Sequence, residues 1–188
     1  MTAAPKILIA LGGNMPSDAG APEATLMSAL YAMEHAGAQV HAVSEFYRTP
    51  CFPVGYGPDY VNAAAKITCD GEPDQVLAML HDIEAQFGRE RVQRWGRRTL
   101  DLDLVAVGDL TLPDQRIHAE WRNLPADQQT SAVPDQLILP HPRMQDRAFV
   151  LIPLCDIAPE WRHPILGHTV RQMVDALPSE AQKEVVRL

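Results

Sequence analysis

The sequence predicts an α+β domain built on a β-α-β-β-α-β core. Three observations carry this. Apolar stretches of strand length alternate with segments of helical period. Proline and glycine punctuate them at the expected ends. The 188 residues, 46% of them hydrophobic, suffice for one core but not for two catalytic domains. That order is the ferredoxin-like split βαβ arrangement. An extra short strand and C-terminal helices complete the expected fold, a single domain over 1–188.

Each element has its own signal. Lys6–Gly12 reads as a buried strand ending in a Gly-Gly turn. Pro22 suits a helix start, Gly37 its end, and Leu26, Leu30 and Met33 fall between at helical spacing. Val40–Thr49 reads as one strand. Thr49–Asp59 packs three prolines and two glycines around Phe52, Val54 and Tyr56, as a loop folding over a ligand would. Tyr60–Thr68 alternates, with Val61, Ala63, Ala65 and Ile67 on one face and Tyr60, Asn62 and Lys66 on the other. Pro73–Phe87 is helical, and Glu84 sits on its apolar ridge, an anomaly for a carboxylate. Thr99–Val107 is the last core strand. Residues 113–136 read as a polar surface insertion with a short helix after Pro125, and Leu137–Leu139 as a short strand. A final helix spans about 169–177 with Thr169 as its N-cap.

Charge and composition exclude several classes. Sixteen basic and 24 acidic residues give a net charge of −8, against a duplex nucleic-acid binder. Three cysteines without a C-x-x-C pair exclude a disulfide framework and a thiolate zinc site. No apolar run nears the ~20 residues of a membrane helix, and Ile7–Leu11 is too short for a signal core. The expectation is a cytoplasmic monomer acting on small molecules, without nucleic-acid or membrane partners.

The chemistry concentrates in T-L-D-L-D-L-V. On a strand, Leu100, Leu102 and Leu104 point one way and Asp101 and Asp103 the other, about 7 Å apart along the chain. Two like charges on one face call for a cation between them, and oxygen donors alone favour magnesium or calcium over zinc. A solvated strand face would also explain an isolated D-x-D. The preceding segment, residues 88–98, bears on the choice: its five arginines and one glutamate carry +4 in a chain of −8. Guanidinium forks bind phosphate oxygens bidentately, so arginines beside a carboxylate pair suit a polyphosphate. The sequence has no G-x-x-x-x-G-K-[ST] or G-x-G-x-x-G, so a nucleotide would be held without a P-loop. Of the three tryptophans, Trp95, Trp121 and Trp161, only Trp95 lies within a chemical cluster. His163 and His168 read as structural or solvent-facing, and Phe149 as a core residue. A non-catalytic nucleotide- or RNA-binding module and another metal-dependent phosphotransferase are the rival readings.

At this point the chain resembles the 6-hydroxymethyl-7,8-dihydropterin pyrophosphokinase family of folate biosynthesis. The matching segments are A-L-G-G-N (10–14), F-Y-R-T-P (46–50), P-D-Y-V-N-A-A (58–64), G-R-E-R (88–91), R-W-G-R-R-T-L-D-L-D-L (94–104) and L-P-H-P-R-M-Q-D-R-A-F-V-L-I-P-L (139–154). The resemblance implies transfer of pyrophosphate from ATP to the pterin hydroxymethyl group, with release of AMP. It implies two magnesium ions on Asp101 and Asp103, and phosphate-gripping roles for Arg89 and Arg98. It implies further ATP contacts from Glu84, Arg91, Trp95, His141 and Arg147. The pterin pocket would draw on Thr49, Tyr60 and Asn62, with Phe149 stacking on the ring; beyond the resemblance, Phe52 is expected to sandwich the ring with Phe149. Three residues depart from the family's usual pattern: Gly13 for serine, Arg97 for proline and Phe52 for an aliphatic side chain. Gly13 is expected to change the turn chemistry modestly.

Overall fold

The computed structural model describes residues 4–51, 57–88, 98–125, 128 and 132–188. Its elements run β1 (Ile7–Gly13), α1 (Pro22–His35), β2 (Gln39–Val43), β3 (Tyr47–Thr49), β4 (Tyr60–Thr68), α2 (Pro73–Gln86), β5 (Asp101–Val107) and α3 (Gln115–Arg122). A 3-10 turn (Met144–Asp146) leads into α4 (Ala148–Ile157), α5 (Val170–Ala176), α6 (Ser179–Lys183) and β6 (Val186–Arg187). The sheet is antiparallel. β1 lies between β5 and β4, β4 pairs with both β2 and β3, and β6 adds to β3.

Both faces of the sheet are covered, giving three layers. On one side Ile7, Ile9, Leu11, Val61, Ala63, Ala65, Ile67, Leu102 and Leu104 pack with the inner faces of α1 and α2. On the other side Leu8, Ala10, Ala64 and Val105 pack against Leu151 and Leu154 of α4 and Val170 and Met173 of α5. Alternation along β1 and β4 therefore separates two cores rather than core from solvent.

Helix starts follow local chemistry. Pro22 and Pro73 occupy first-turn positions, where a missing N–H costs nothing. Glu72 and Gln75 form a reciprocal capping box on α2, and Thr169 and Gln172 form another on α5. No helix among the described residues is long and apolar enough to cross a membrane.

Several expectations need correction. The strand expected over 40–49 is two strands: Ser44, Glu45 and Phe46 face only Ala63 and Ala64 across the ladder. The Ser44 hydroxyl accepts the Ala64 N–H at 2.8 Å, standing in for a backbone carbonyl at this bulge. Gly12 and Gly13 end β1 instead of forming a turn. A Cβ on Gly13 would lie 2.5 Å from the Thr99 carbonyl oxygen, so this glycine permits a close backbone crossing. Leu137–Leu139 is not a strand; Leu139 makes one bridge to Leu112, with N–H···O distances of 2.9 and 3.1 Å. The insertion also carries α3, a helix before Pro125 that was not expected; of the helix expected after Pro125, Gln128 is helical, and residues 126–127 and 129–131 lie outside the described residues. Phe149 is exposed rather than part of the core.

Candidate active site

The site forms where the α4 layer stops short of the strand ends. Gly12 pairs with Asn62 on β4 and with Asp101 on β5, so the three residues stand in a row across neighbouring strands. Ala10 pairs with Ala64 and Asp103 in the next row on that face. At about 4.8 Å per strand, Asn62 and Asp101 are about 10 Å apart with a glycine floor between them. A Cβ on Gly12 would approach the Asn62 Oδ1 to 3.1 Å.

Asp101 is bonded by the Arg98 guanidinium. Burial works against the Arg98 charge, yet Asp101, Tyr60 and Asp103 outweigh it and raise the pKa above its usual value. Arg147 lies 4.0 Å from Asp103, and its guanidinium stands 5.6 Å from the Phe149 ring centre, within cation–π range. The Asp101 and Asp103 side chains are 23% and 38% exposed, open enough for an incoming cation. Among the described residues no cluster of three or more His, Cys, Asp or Glu could hold a metal by itself. Two carboxylates on one strand face nevertheless fit magnesium, which completes its shell with phosphate and water.

His141 is placed by its own N–H, which donates to the Val105 carbonyl at 2.8 Å. Its Nδ1 accepts the Arg143 N–H at 3.2 Å. Burial, followed by Arg147 and Arg143, pushes its pKa down to about 3. The ring is neutral at physiological pH and carries its proton on Nε2, a ready donor to an oxygen ligand.

A cleft of about 410 Å³ opens beside Asp103, His141 and Arg143. Leu77, Leu104, Trp121, Leu137 and Ile138 supply its apolar walls. The size and mixed lining are those of a small-molecule pocket.

On the β4 side, Asn62 is buried and its Nδ2 donates to the Thr49 hydroxyl at 2.9 Å. Tyr60 is half-buried on the same face. Glu84 is also buried, but it supports β5 rather than lining the cleft: its Oε1 accepts the Leu102 N–H at 2.7 Å. The structure thus brings together Arg98, Asp101, Asp103, His141, Arg147, Thr49, Tyr60 and Asn62. Phe52, Arg89, Arg91 and Trp95 lie outside the described residues.

Sequence reasoning missed two residues here. Asn14 is 2% exposed, and its Oδ1 accepts the Arg98 N–H at 2.8 Å while its Nδ2 donates to the Pro58 carbonyl at 3.1 Å. Its own N–H donates to the Arg98 carbonyl at 2.9 Å. One side chain therefore ties the start of β5 to the segment entering β4. A polar residue directly after a buried strand was the available signal. Trp121 was the other, and its signal was a large aromatic side chain in a largely polar helix.

A carboxylate pair flanked by guanidinium groups, beside a mixed cleft, has the chemistry to bind a phosphate-bearing ligand. Comparison with known proteins agrees. Residues 8–159 match the family model described as 7,8-dihydro-6-hydroxymethylpterin-pyrophosphokinase. The chain is 37% identical over 146 residues to a 2-amino-4-hydroxy-6-hydroxymethyldihydropteridine pyrophosphokinase of Synechocystis sp., covering 78% of this chain and 64% of that protein. A Pseudomonas aeruginosa protein of the same name is 34% identical over 176 residues, covering 93% of each. A crystal structure of wild-type Plasmodium falciparum HPPK-DHPS superposes with a TM-score of 0.61 at 14% identity, over 93% of this chain and 45% of that one. The chain thus spans under two-thirds of the Synechocystis relative and under half of the Plasmodium chain. It belongs to the 6-hydroxymethyl-7,8-dihydropterin pyrophosphokinase family.

Proposed function

We propose that this chain transfers the β,γ-pyrophosphoryl unit of ATP to the hydroxymethyl group of 6-hydroxymethyl-7,8-dihydropterin, releasing AMP, as a step of folate biosynthesis. The carrying observation is the row Asn62–Gly12–Asp101, which sets an amide for a heterocycle and a carboxylate for a cationic phosphate complex on one glycine floor.

In this reading Asn62 donates to and accepts from the pterin edge, with Thr49 and Tyr60 beside it. Phe149 stacks on the ring, partnered by Phe52. Arg98, Arg147 and the Nε2–H of His141 hold phosphate oxygens, joined by Arg89, Arg91 and Trp95. Glu84 acts through β5 by fixing Leu102 between the two aspartates. Asp101 and Asp103 would hold magnesium, two ions in our reading, which when bound neutralise triphosphate charge and polarise the attacking hydroxyl. The pterin hydroxyl oxygen attacks the β-phosphorus, the bond from that phosphorus to the α-bridging oxygen breaks, and the hydroxyl proton passes by way of Asp103 or Asp101 to water. AMP leaves with the bridging oxygen. Positioning and electrostatics do this work, since the chain forms no covalent intermediate.

The strand order β5-β1-β4-β2, with α1 and α2 on one face, supports a ferredoxin-like core. Our reading is of one domain over 1–188, with 113–136 inserted, working as a cytoplasmic monomer.

The test is AMP formation from ATP and magnesium, with and without hydroxymethyldihydropterin. AMP should appear only with the pterin. Asp103→Asn should lower turnover by about 100-fold or more while leaving the thermal midpoint unchanged. Nucleotide binding without pterin-dependent AMP release would overturn the proposal.

A further inference from the structure

Among the described residues, the walls of the cleft include one indole, Trp121, and it comes from the 113–136 insertion. Trp121 lines the same space as Leu104 and Ile138, and Asp103, His141 and Arg143 also stand in its walls. α3 is firmly held for a helix of eight residues. Asp114 caps it, its Oδ1 accepting the Ile117 N–H at 2.9 Å. His118 is fully buried, and its Nε2 lies 3.0 Å from the Pro140 carbonyl oxygen, next to His141. Its ring packs edge-on against His163 with centres 5.7 Å apart. Residues three apart on a helix share a side, so anchoring His118 also fixes where Trp121 stands. A flat ring and a cationic group in the walls of one cleft match a ligand with a planar heterocyclic head and an anionic tail.

We infer that Trp121 is the platform on which the base of the nucleotide stacks, so that the insertion completes the nucleotide site. This rests on the pyrophosphokinase reading for the presence of a nucleotide in the cleft. Trp121 then determines affinity for the base, and the arginines determine affinity for the phosphates.

The two contributions separate in calorimetry on the full chain with magnesium. The probes are a non-hydrolysable ATP analogue and inorganic tripolyphosphate, which has no base. Trp121→Ala should weaken the analogue by about tenfold or more and leave tripolyphosphate within about twofold. Trp121→Phe, which keeps a π face, should stay within about threefold of wild type on the analogue. Trp121→Leu keeps apolar bulk in case the alanine variant does not fold, and should lose at least about fivefold on the analogue alone. Unchanged analogue affinity in Trp121→Leu would overturn the inference. So would equal losses on both probes, which would make Trp121 a support for the phosphate end. Wild-type protein that binds neither probe would instead overturn the pyrophosphokinase reading, and this inference with it.

Discussion

His163 is fully buried, and its Nδ1 accepts the N–H groups of Ile165 and Leu166 at 3.2 Å each. Burial, then His118, Arg122 and His168, push its pKa down from 6.5 to about 4. The unfolded chain therefore binds a proton at higher pH than the folded one, and stability falls as pH drops from about 6.5 towards about 4. The full gap between the two pKa values corresponds to about 3 kcal/mol. Between about pH 7 and about pH 5 the linkage relation gives a loss of about 2 kcal/mol from this residue alone. His118, pushed down by burial in turn, adds a loss of the same sign. Urea unfolding at the two pH values measures the sum. His163→Asn puts an amide oxygen near the place of Nδ1 and does not titrate. It should fold less stably at neutral pH but lose about 2 kcal/mol less than wild type on acidification. Equal acid-induced losses in the two proteins would refute the reasoning.

Two further perturbations probe the site. Gly12→Val puts branched carbons onto the floor between Asn62 and Asp101, where even a Cβ meets Asn62 at 3.1 Å. Turnover should fall about 10- to 100-fold, with ATP-analogue affinity retained, as steady-state kinetics and calorimetry would show; wild-type turnover would mean that the substrates do not meet over this glycine. Asn14→Ala leaves the Arg98 N–H and the Pro58 carbonyl without their side-chain partner. Chemical denaturation should show a loss of about 2–4 kcal/mol, and turnover should fall as the start of β5 loosens; a change under about 0.5 kcal/mol would remove Asn14 from this role.

What was legible in the sequence was what short-range pattern controls. Period-two alternation placed β4 over Tyr60–Thr68 and put Asp101 and Asp103 on one face. Pro22, Pro73 and Thr169 marked helix starts because N-terminal chemistry is local. α4 escaped because Ala148–Ile157 is apolar on nearly every side and so shows no period, while Pro153 reads as a break. Trp121 and Asn14 escaped for another reason. Each takes its role from segments brought close only by folding: Asn14 bonds a residue 84 positions away, and Trp121 faces a cleft walled by α2, β5 and the segment before α4.

α4 also explains why the site lies where it does. One face of the sheet is dry along Leu8, Ala64 and Val105, where Leu151 and Leu154 cover it. Further along, Lys66 reaches the last residue of α4, donating to the Ile157 carbonyl at 2.9 Å. The helix begins at Ala148, so the opposite end of that face, at Asn62, Gly12 and Asp101, stays uncovered. The residues at this start are Arg147, 4.0 Å from Asp103, and Phe149, exposed beside it. A helix extended by another turn towards its N-terminus would cover the carboxylates, and one starting later would withdraw Arg147 and Phe149 from them. The point where a hydrophobic layer stops therefore both uncovers the acidic pair and delivers a guanidinium and an aromatic ring to its edge.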